Sequence, residues 1–124
     1  MADAVSSQTL VDGPRNTVIK YTNLSDGTGE SGVTKVDAST LEGSPTNIKI
    51  DGVWFNCSGM SVQVDWDGGT PATALILADE GAWDFRCFGG IQNNAGSPNN
   101  DITFTTGNAS SGDSYTIILF LRKN

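Results

Sequence analysis

The chain has 124 residues, with seven basic and 14 acidic side chains, a net charge of −7 and no histidine. The acidic balance argues against binding to DNA, RNA or anionic membranes, because these partners need clustered positive charge. The lack of histidine excludes Ser-His-Asp and Cys-His catalysis as well as histidine-ligated metal sites. The length fits one domain, and no apolar run is long enough to span a membrane.

Residues 1–14 are mostly polar and end in an Asp12-Gly13-Pro14 turn. They lack the basic and apolar regions of a signal peptide, so we expect synthesis in the cytoplasm. We predict an N-terminal arm or tail over residues 1–14 and one β-domain over residues 15–124. The arm is either a frayed terminus or a strand added to a neighbour. Its candidate partner contacts are Gln8, Thr9, Leu10 and Val11.

Short β-branched and aromatic runs follow, separated by Gly, Ser, Asn and Asp turns, and no stretch shows helical periodicity. The strands are predicted at residues 17–23, 33–38, 47–57, 61–67, 74–78, 83–88, 101–106 and 112–123. This spacing predicts an all-β fold, a jelly-roll-like antiparallel β-sandwich of about eight strands. Residues 89–100 are predicted to be the longest irregular loop.

Two strands carry further information in the phase of their apolar residues. Within residues 47–57 the phase shifts at Gly52, which predicts a bulge or bend, as where a strand crosses between sheets. In the last strand Tyr115, Ile117, Leu119 and Leu121 share one face, while Ile118 and Phe120 share the other. Apolar side chains on both faces predict a central strand that is covered on both sides.

The candidate chemical motifs have simpler structural explanations. Asp65 and Asp67 lie on the same face of a strand, but they precede a Gly68-Gly69 turn and are predicted to be a solvated strand end. Residues 27–32 match G-x-G-x-x-G, yet a strand-like run follows where a dinucleotide site needs a helix. We therefore predict no catalytic, cofactor or metal site, and expect a scaffold rather than an enzyme.

The cysteines and tryptophans are predicted mainly to build the core. Cys57 and Cys87 each share a face with a Phe two residues earlier, which predicts small core residues. Synthesis in a reducing cytoplasm favours free thiols, and the alternative is a disulfide if their strands are adjacent. Trp66 and Trp83 are in phase with inward-facing residues. Trp54 lies opposite the inward set, so it either covers the other face of the sheet or contacts a partner.

The second half of the chain, read in order, resembles a family of small structural proteins of tailed bacteriophages. The similarity covers about residues 17–123. The stretches that carry it are Asn-Ile-Lys-Ile-Asp-Gly-Val-Trp-Phe at residues 47–55, Met-Ser-Val-Gln-Val-Asp-Trp-Asp at 60–67, Trp-Asp-Phe at 83–85 with Gly89-Gly90, Asp-Ile-Thr-Phe-Thr-Thr at 101–106, and Gly-Asp-Ser-Tyr-Thr-Ile-Ile-Leu-Phe-Leu-Arg-Lys at 112–123.

The resemblance implies a capsid cement, or decoration, protein of jelly-roll type. Such a protein binds the outer surface of the phage head, bridges major capsid subunits and stabilises the shell, without catalytic residues. The implied partners are the major capsid protein and further copies of this chain, as a dimer or trimer, with no nucleic acid or membrane. The alternatives are a phage tail or head-fibre module and a carbohydrate-binding β-sandwich.

Overall fold

The structure is a computed structural model that describes residues 4–43 and 47–123. Within these ranges the chain forms seven strands, all paired antiparallel, and two short 3-10 helices at Ala38–Thr40 and Arg86–Phe88. The strands are β1 (Ala4–Asp12), β2 (Asn16–Asp26), β3 (Val33–Val36), β4 (Ile48–Thr70), β5 (Ala72–Asp84), β6 (Gly96–Gly107) and β7 (Ser111–Lys123). The predicted jelly-roll-like antiparallel β-sandwich is confirmed.

Strand β4 organises the fold because it belongs to both layers. Its first arm, residues 48–58, pairs with β7, and its second arm, residues 61–70, pairs with β6. Strand β5 runs beside both arms. The two strands predicted at residues 47–57 and 61–67 are therefore arms of one strand, and counting the arms separately gives eight strand segments.

The sheet curls at β4, so that two half-sheets face each other. The first half-sheet has the order β1, β2, β7, first arm of β4 and end of β5; the second contains β3, β6, the second arm of β4 and the start of β5. Aromatic rings join them across the interior, since Phe104 of β6 packs edge-on against Tyr21 of β2 and Tyr115 of β7, with centroids 5.3 and 5.9 Å apart.

Two irregularities along β4 set which residues point inward. The predicted bulge at Gly52 is confirmed by a register shift between Ile50 and Gly52 in the pairing with β7. A second shift, between Cys57 and Ser61, marks the corner between the two arms. Gly59 lies there at φ +81°, in the left-handed region, and a Cβ would collide with the Asp113 carboxylate, so this corner requires glycine.

Two clusters of charged and polar side chains connect strands and loops of the sandwich. Glu30 pairs with Lys35 at 2.5 Å and accepts hydrogen bonds from Tyr115 (2.6 Å) and Asn23 (3.0 Å), which links the two half-sheets. Buried Lys123 donates to the Asp12 carboxylate and to the Gly13 and Glu42 carbonyl oxygens at 2.6–2.8 Å. All three ammonium donors of this lysine have partners, as a buried cation requires.

The termini and loops differ from the sequence pattern in three places. Residues 4–12 of the predicted arm form β1, which pairs with β2 inside the sheet, while residues 1–3 lie outside the described residues. The strands predicted at residues 74–78 and 83–88 are one continuous strand, β5, which ends at Asp84, where the chain turns into the 3-10 helix. The loop predicted at residues 89–100 is shorter, since β6 begins at Gly96. In the described part of the chain, no helix has the length and apolar character to cross a membrane.

Candidate docking face

The outer face of the first half-sheet carries a band of apolar side chains, which we call the Trp54 face. Cross-strand pairing places its members side by side: Val11 lies opposite Val18, Val18 opposite Phe120, and Ile118 opposite Trp54. No described element packs over this band. The Trp54 face consists of Val11, Val18, Trp54, Ile118 and Phe120.

Trp54 is the most prominent side chain of this face. It is 57% exposed, and its ring packs edge-on against Phe120 with centroids 5.4 Å apart. Ile118 and Phe120 are half-buried beside it. The packing against Phe120 and Ile118 therefore restrains the indole, while much of its surface contacts solvent. A restrained, exposed aromatic ring is well suited to contact a partner.

Two depressions flank Trp54. The first has a volume of about 310 Å³; Val18, Phe120 and Gly52 contribute to it, and Asp84 and Arg86 lie at its polar side. A Cβ on Gly52 would lie 3.0 Å from the Trp83 carbonyl oxygen and 3.8 Å from Phe120, so glycine permits the close approach of β5. The second is shallower, about 330 Å³, and is bounded by residues such as Asn56, Ala82 and Ile118.

Charged groups border the first depression without entering the apolar band. Arg86 donates to both carboxylate oxygens of Asp84, from Nε at 3.0 Å and from Nη2 at 2.7 Å. These hydrogen bonds lower the pKa of Asp84 to about 2, so it is ionised at neutral pH. An apolar centre with a charged rim is the usual anatomy of a protein interface.

Three of the five predicted partner-contact residues lie on this one face. Val11 and Trp54 are part of the band, and Gln8 lies beside it, opposite Lys20. Thr9 does not join them, because it lies opposite the buried Ile19 and so points to the inner side. Leu10 occupies a β-bulge at the sheet edge and is exposed.

Sequence reasoning missed other contributors to this face. Val18 is out of phase with its inward-facing neighbours Ile19 and Thr17. The available signal was this apolar residue between the polar Asn16 and Lys20 on the outward side of the strand. The prediction that β7 is central is confirmed by its pairing with β2 and β4. The prediction of cover on both sides is wrong for the outer side, where Ile118 and Phe120 are only half-buried.

Two predictions of buried residues near the end of β5 are wrong. Trp66 is fully buried as predicted, but Trp83 is 43% exposed because β5 is an edge strand and the ring is held only from one side, against Phe55 and Phe85. Cys87 is exposed because its segment is a 3-10 helix, so the strand phase that suggested burial does not apply. Cys57 is buried, and desolvation raises the pKa of its thiol to about 11.

The acidic and glycine-rich motifs behave as structural elements. Asp65 accepts a hydrogen bond from Gln63, and Asp67 accepts one from Asn99, both at the surface. Residues 27–32 connect β2 to β3, so a strand directly follows them where a dinucleotide site needs a helix. Within the described ranges no group of three or more acidic or cysteine side chains is arranged to hold a metal ion.

The face is thus defined by geometry alone: an anchored indole, two depressions and a charged rim. A comparison of the chain with protein-family models finds no match, and a comparison with curated proteins finds none either.

Proposed function

We propose that this chain is a structural virion protein, a capsid cement protein that binds the outer surface of a phage head through its Trp54 face. The observation that carries the proposal is the exposed Trp54, packed against Phe120 at the β4 end of an apolar band. Bands of this kind mark protein-interaction surfaces, and tryptophan is enriched among residues that dominate binding energy. The resemblance in residues 17–123 supplies the class of partner, the major capsid protein.

The rest of the fold suits such a role. Docking through one face of a two-layered sandwich leaves the opposite half-sheet free to face solvent. A shell repeats each contact many times, so that modest affinity per copy gives large total stabilisation when copies are linked to one another. We therefore include self-association, as a dimer or trimer, in the proposal. The role is non-catalytic, and the bridging of neighbouring capsid subunits is what would stabilise the head.

A sedimentation experiment tests the proposal. Purified protein is mixed with heads that lack it, the heads are pelleted, and bound copies are counted by quantitative gel or mass spectrometry. Saturation at an integer multiple of the icosahedral asymmetric units is the expected result. Absence of binding, or only a few copies per particle, would exclude a cement role; electron microscopy of the particle would then look for the chain in the tail or head fibres.

Substitutions test whether the Trp54 face is the surface that binds the head. Trp54→Ala should weaken head binding about tenfold or more, as expected for loss of a large exposed aromatic anchor. Ile76→Ala is the matched control, since Ile76 is also a large exposed apolar residue but lies on β5 in the second half-sheet. Equal binding by Trp54→Ala and the wild type would remove the Trp54 face from the mechanism while leaving the cement role intact.

A second candidate is carbohydrate binding, favoured by the depression of about 310 Å³ that places Trp54 near Asp84 and Arg86. Sugars stack on exposed aromatic rings and bind planar charged groups through their hydroxyls. Titration with a panel of glycans, followed by tryptophan fluorescence, discriminates the two candidates. Saturable quenching that is lost in Trp54→Ala would favour the sugar site, whereas an unchanged spectrum would exclude it for that panel.

A further inference from the structure

The described residues leave three strands, β1, β3 and β5, that each pair with a single neighbour. An unpaired strand edge can add a strand from another chain, and natural proteins prevent this by making edge strands short, charged or bulged. The three edge strands of this protein differ in how far they have these protective features.

Strands β3 and β5 are protected. Strand β3 has only four residues, and Lys35 lies within it. Strand β5 carries the acidic residues Asp79, Glu80 and Asp84, and its backbone is irregular at Asp79, where φ is +59°. Two copies that approached through β5 would place carboxylates close together, which a chain of net charge −7 makes more unfavourable.

Strand β1 is the exception. It has nine residues, and none of the side chains from Val5 to Val11 is charged. Its one protection is the bulge near Leu10, which lies towards one end. Val5, Leu10 and Val11 are all exposed there, each close to half of its surface. The strand is thus a long, uncharged edge with apolar side chains left in solvent.

We propose that two copies of this chain pair antiparallel through β1, with Gln8 of each copy on the twofold axis. The sequence around Gln8 is nearly self-complementary, because Ser7 and Thr9 flank it. Antiparallel pairing centred on Gln8 places Gln8 opposite Gln8 and Ser7 opposite Thr9. Both hydroxyl residues point to the inner side of the sheet, so each cross-strand pair shares a face, as pairing requires.

The pairing would extend the first half-sheet of one copy into that of the other. Gln8 and Val11 lie on the outer side of β1, beside the rest of the Trp54 face. The twofold axis of a sheet that continues through β1 stands perpendicular to it, so both Trp54 faces would point the same way. The dimer would thus present one surface with two Trp54 anchors. The proposal does not depend on capsid binding.

Sedimentation equilibrium of the purified full chain tests this directly. The expected result is a concentration-dependent mass that approaches twice 13.0 kDa. Gln8→Glu should raise the dimer dissociation constant roughly fivefold or more, because it places two carboxylates opposite each other on the axis. In the single copy the new carboxylate lies opposite Lys20, so the fold should tolerate it. Circular dichroism checks that tolerance.

A charge swap makes the test specific. Gln8→Lys, whose fold opposite Lys20 is also checked by circular dichroism, should weaken self-association too. An equimolar mixture of Gln8→Glu and Gln8→Lys should recover the dimer, since opposite charges then meet at the axis. Ile76→Glu, which adds a carboxylate to the exposed edge strand β5, should leave the mass unchanged. A monomeric wild type, a dimer insensitive to Gln8→Glu, or failure of the mixture to recover the dimer would overturn the proposal.

Discussion

Trp54 and Trp66 lie on the same strand, yet one is 57% exposed and the other is completely buried. Trp66 belongs to the second arm of β4 and packs between the half-sheets, whereas Trp54 belongs to the first arm and points away from them. Residue type and strand therefore do not decide the role of an aromatic side chain in this protein. The phase of the strand and the presence of a second layer decide it.

The physical origin of the difference is a change of phase at the corner of β4. In the first arm the odd-numbered residues Val53, Phe55 and Cys57 point inward, and in the second arm the even-numbered Val62 and Val64 do. The extra residues between Cys57 and Ser61 reverse the phase. Without that irregularity Trp66 would point outward like Trp54, and the core would lose its largest buried side chain.

Cysteine labelling should give the largest contrast between the buried and exposed sides of the protein. Cys57 is buried with a pKa raised to about 11, so little thiolate forms at pH 8, whereas Cys87 is exposed. Under native conditions we expect one thiol to react with Ellman's reagent quickly and the other more than about 1,000-fold more slowly, limited by unfolding. Cys87→Ser should abolish the fast phase. Two equally fast thiols would contradict the burial of Cys57.

Truncation of the two tryptophans should separate stability from recognition. Trp66→Ala should lower the free energy of unfolding by about 3–5 kcal/mol, because it leaves a large cavity in the core. Trp54→Ala should lower it by about 1 kcal/mol or less, since mainly the packing against Phe120 is lost. Urea denaturation followed by circular dichroism measures both. Equal losses would show that Trp54 belongs to the core.

The buried Glu30 cluster offers a test of how the two half-sheets are held together. Glu30→Ala should lower the free energy of unfolding by about 3 kcal/mol, because Lys35 would remain buried without its carboxylate. Glu30→Gln should cost less, since its amide oxygen still accepts hydrogen bonds from Tyr115 and Asn23. Glu80→Gln, at an exposed acid, is the control in urea denaturation. A Glu30→Ala loss no larger than the control's would remove this cluster from the stability of the sandwich.

A smaller effect than that of Trp66→Ala or Glu30→Ala is expected at Asp12, and it depends on pH. The hydrogen bond from Lys123 lowers the pKa of Asp12 below its unfolded value, despite an opposing contribution from desolvation. Its stabilisation is therefore complete above the unfolded pKa and is lost as the pH falls through the folded pKa. Asp12→Asn should cost about 1–2 kcal/mol at pH 7. The difference from the wild type should shrink in urea titrations towards pH 2, and a difference independent of pH would contradict the linkage.

Part of the candidate site was predictable from sequence because local phase carries the information. The position of Trp54 opposite Val53 and Phe55 identified it as the outward tryptophan of its arm, and the structure agrees. The same reasoning failed at Trp83 because phase says which way a side chain points, not how much the neighbouring layer covers it. The prediction that Cys87 is buried failed for a different reason, because β5 ends before Cys87 and the alternation of a strand no longer applies there.

The sequence by itself determined the all-β class and the inward set within most of the short runs, because side-chain alternation is a local property. Only the tertiary structure decided that two predicted strands are arms of β4 and that residues 4–12 form an edge of the sheet. It also decided that the outer side of β7 lacks a covering layer. These features depend on pairing between residues far apart in the chain, and on where one layer ends relative to another, which no local pattern encodes.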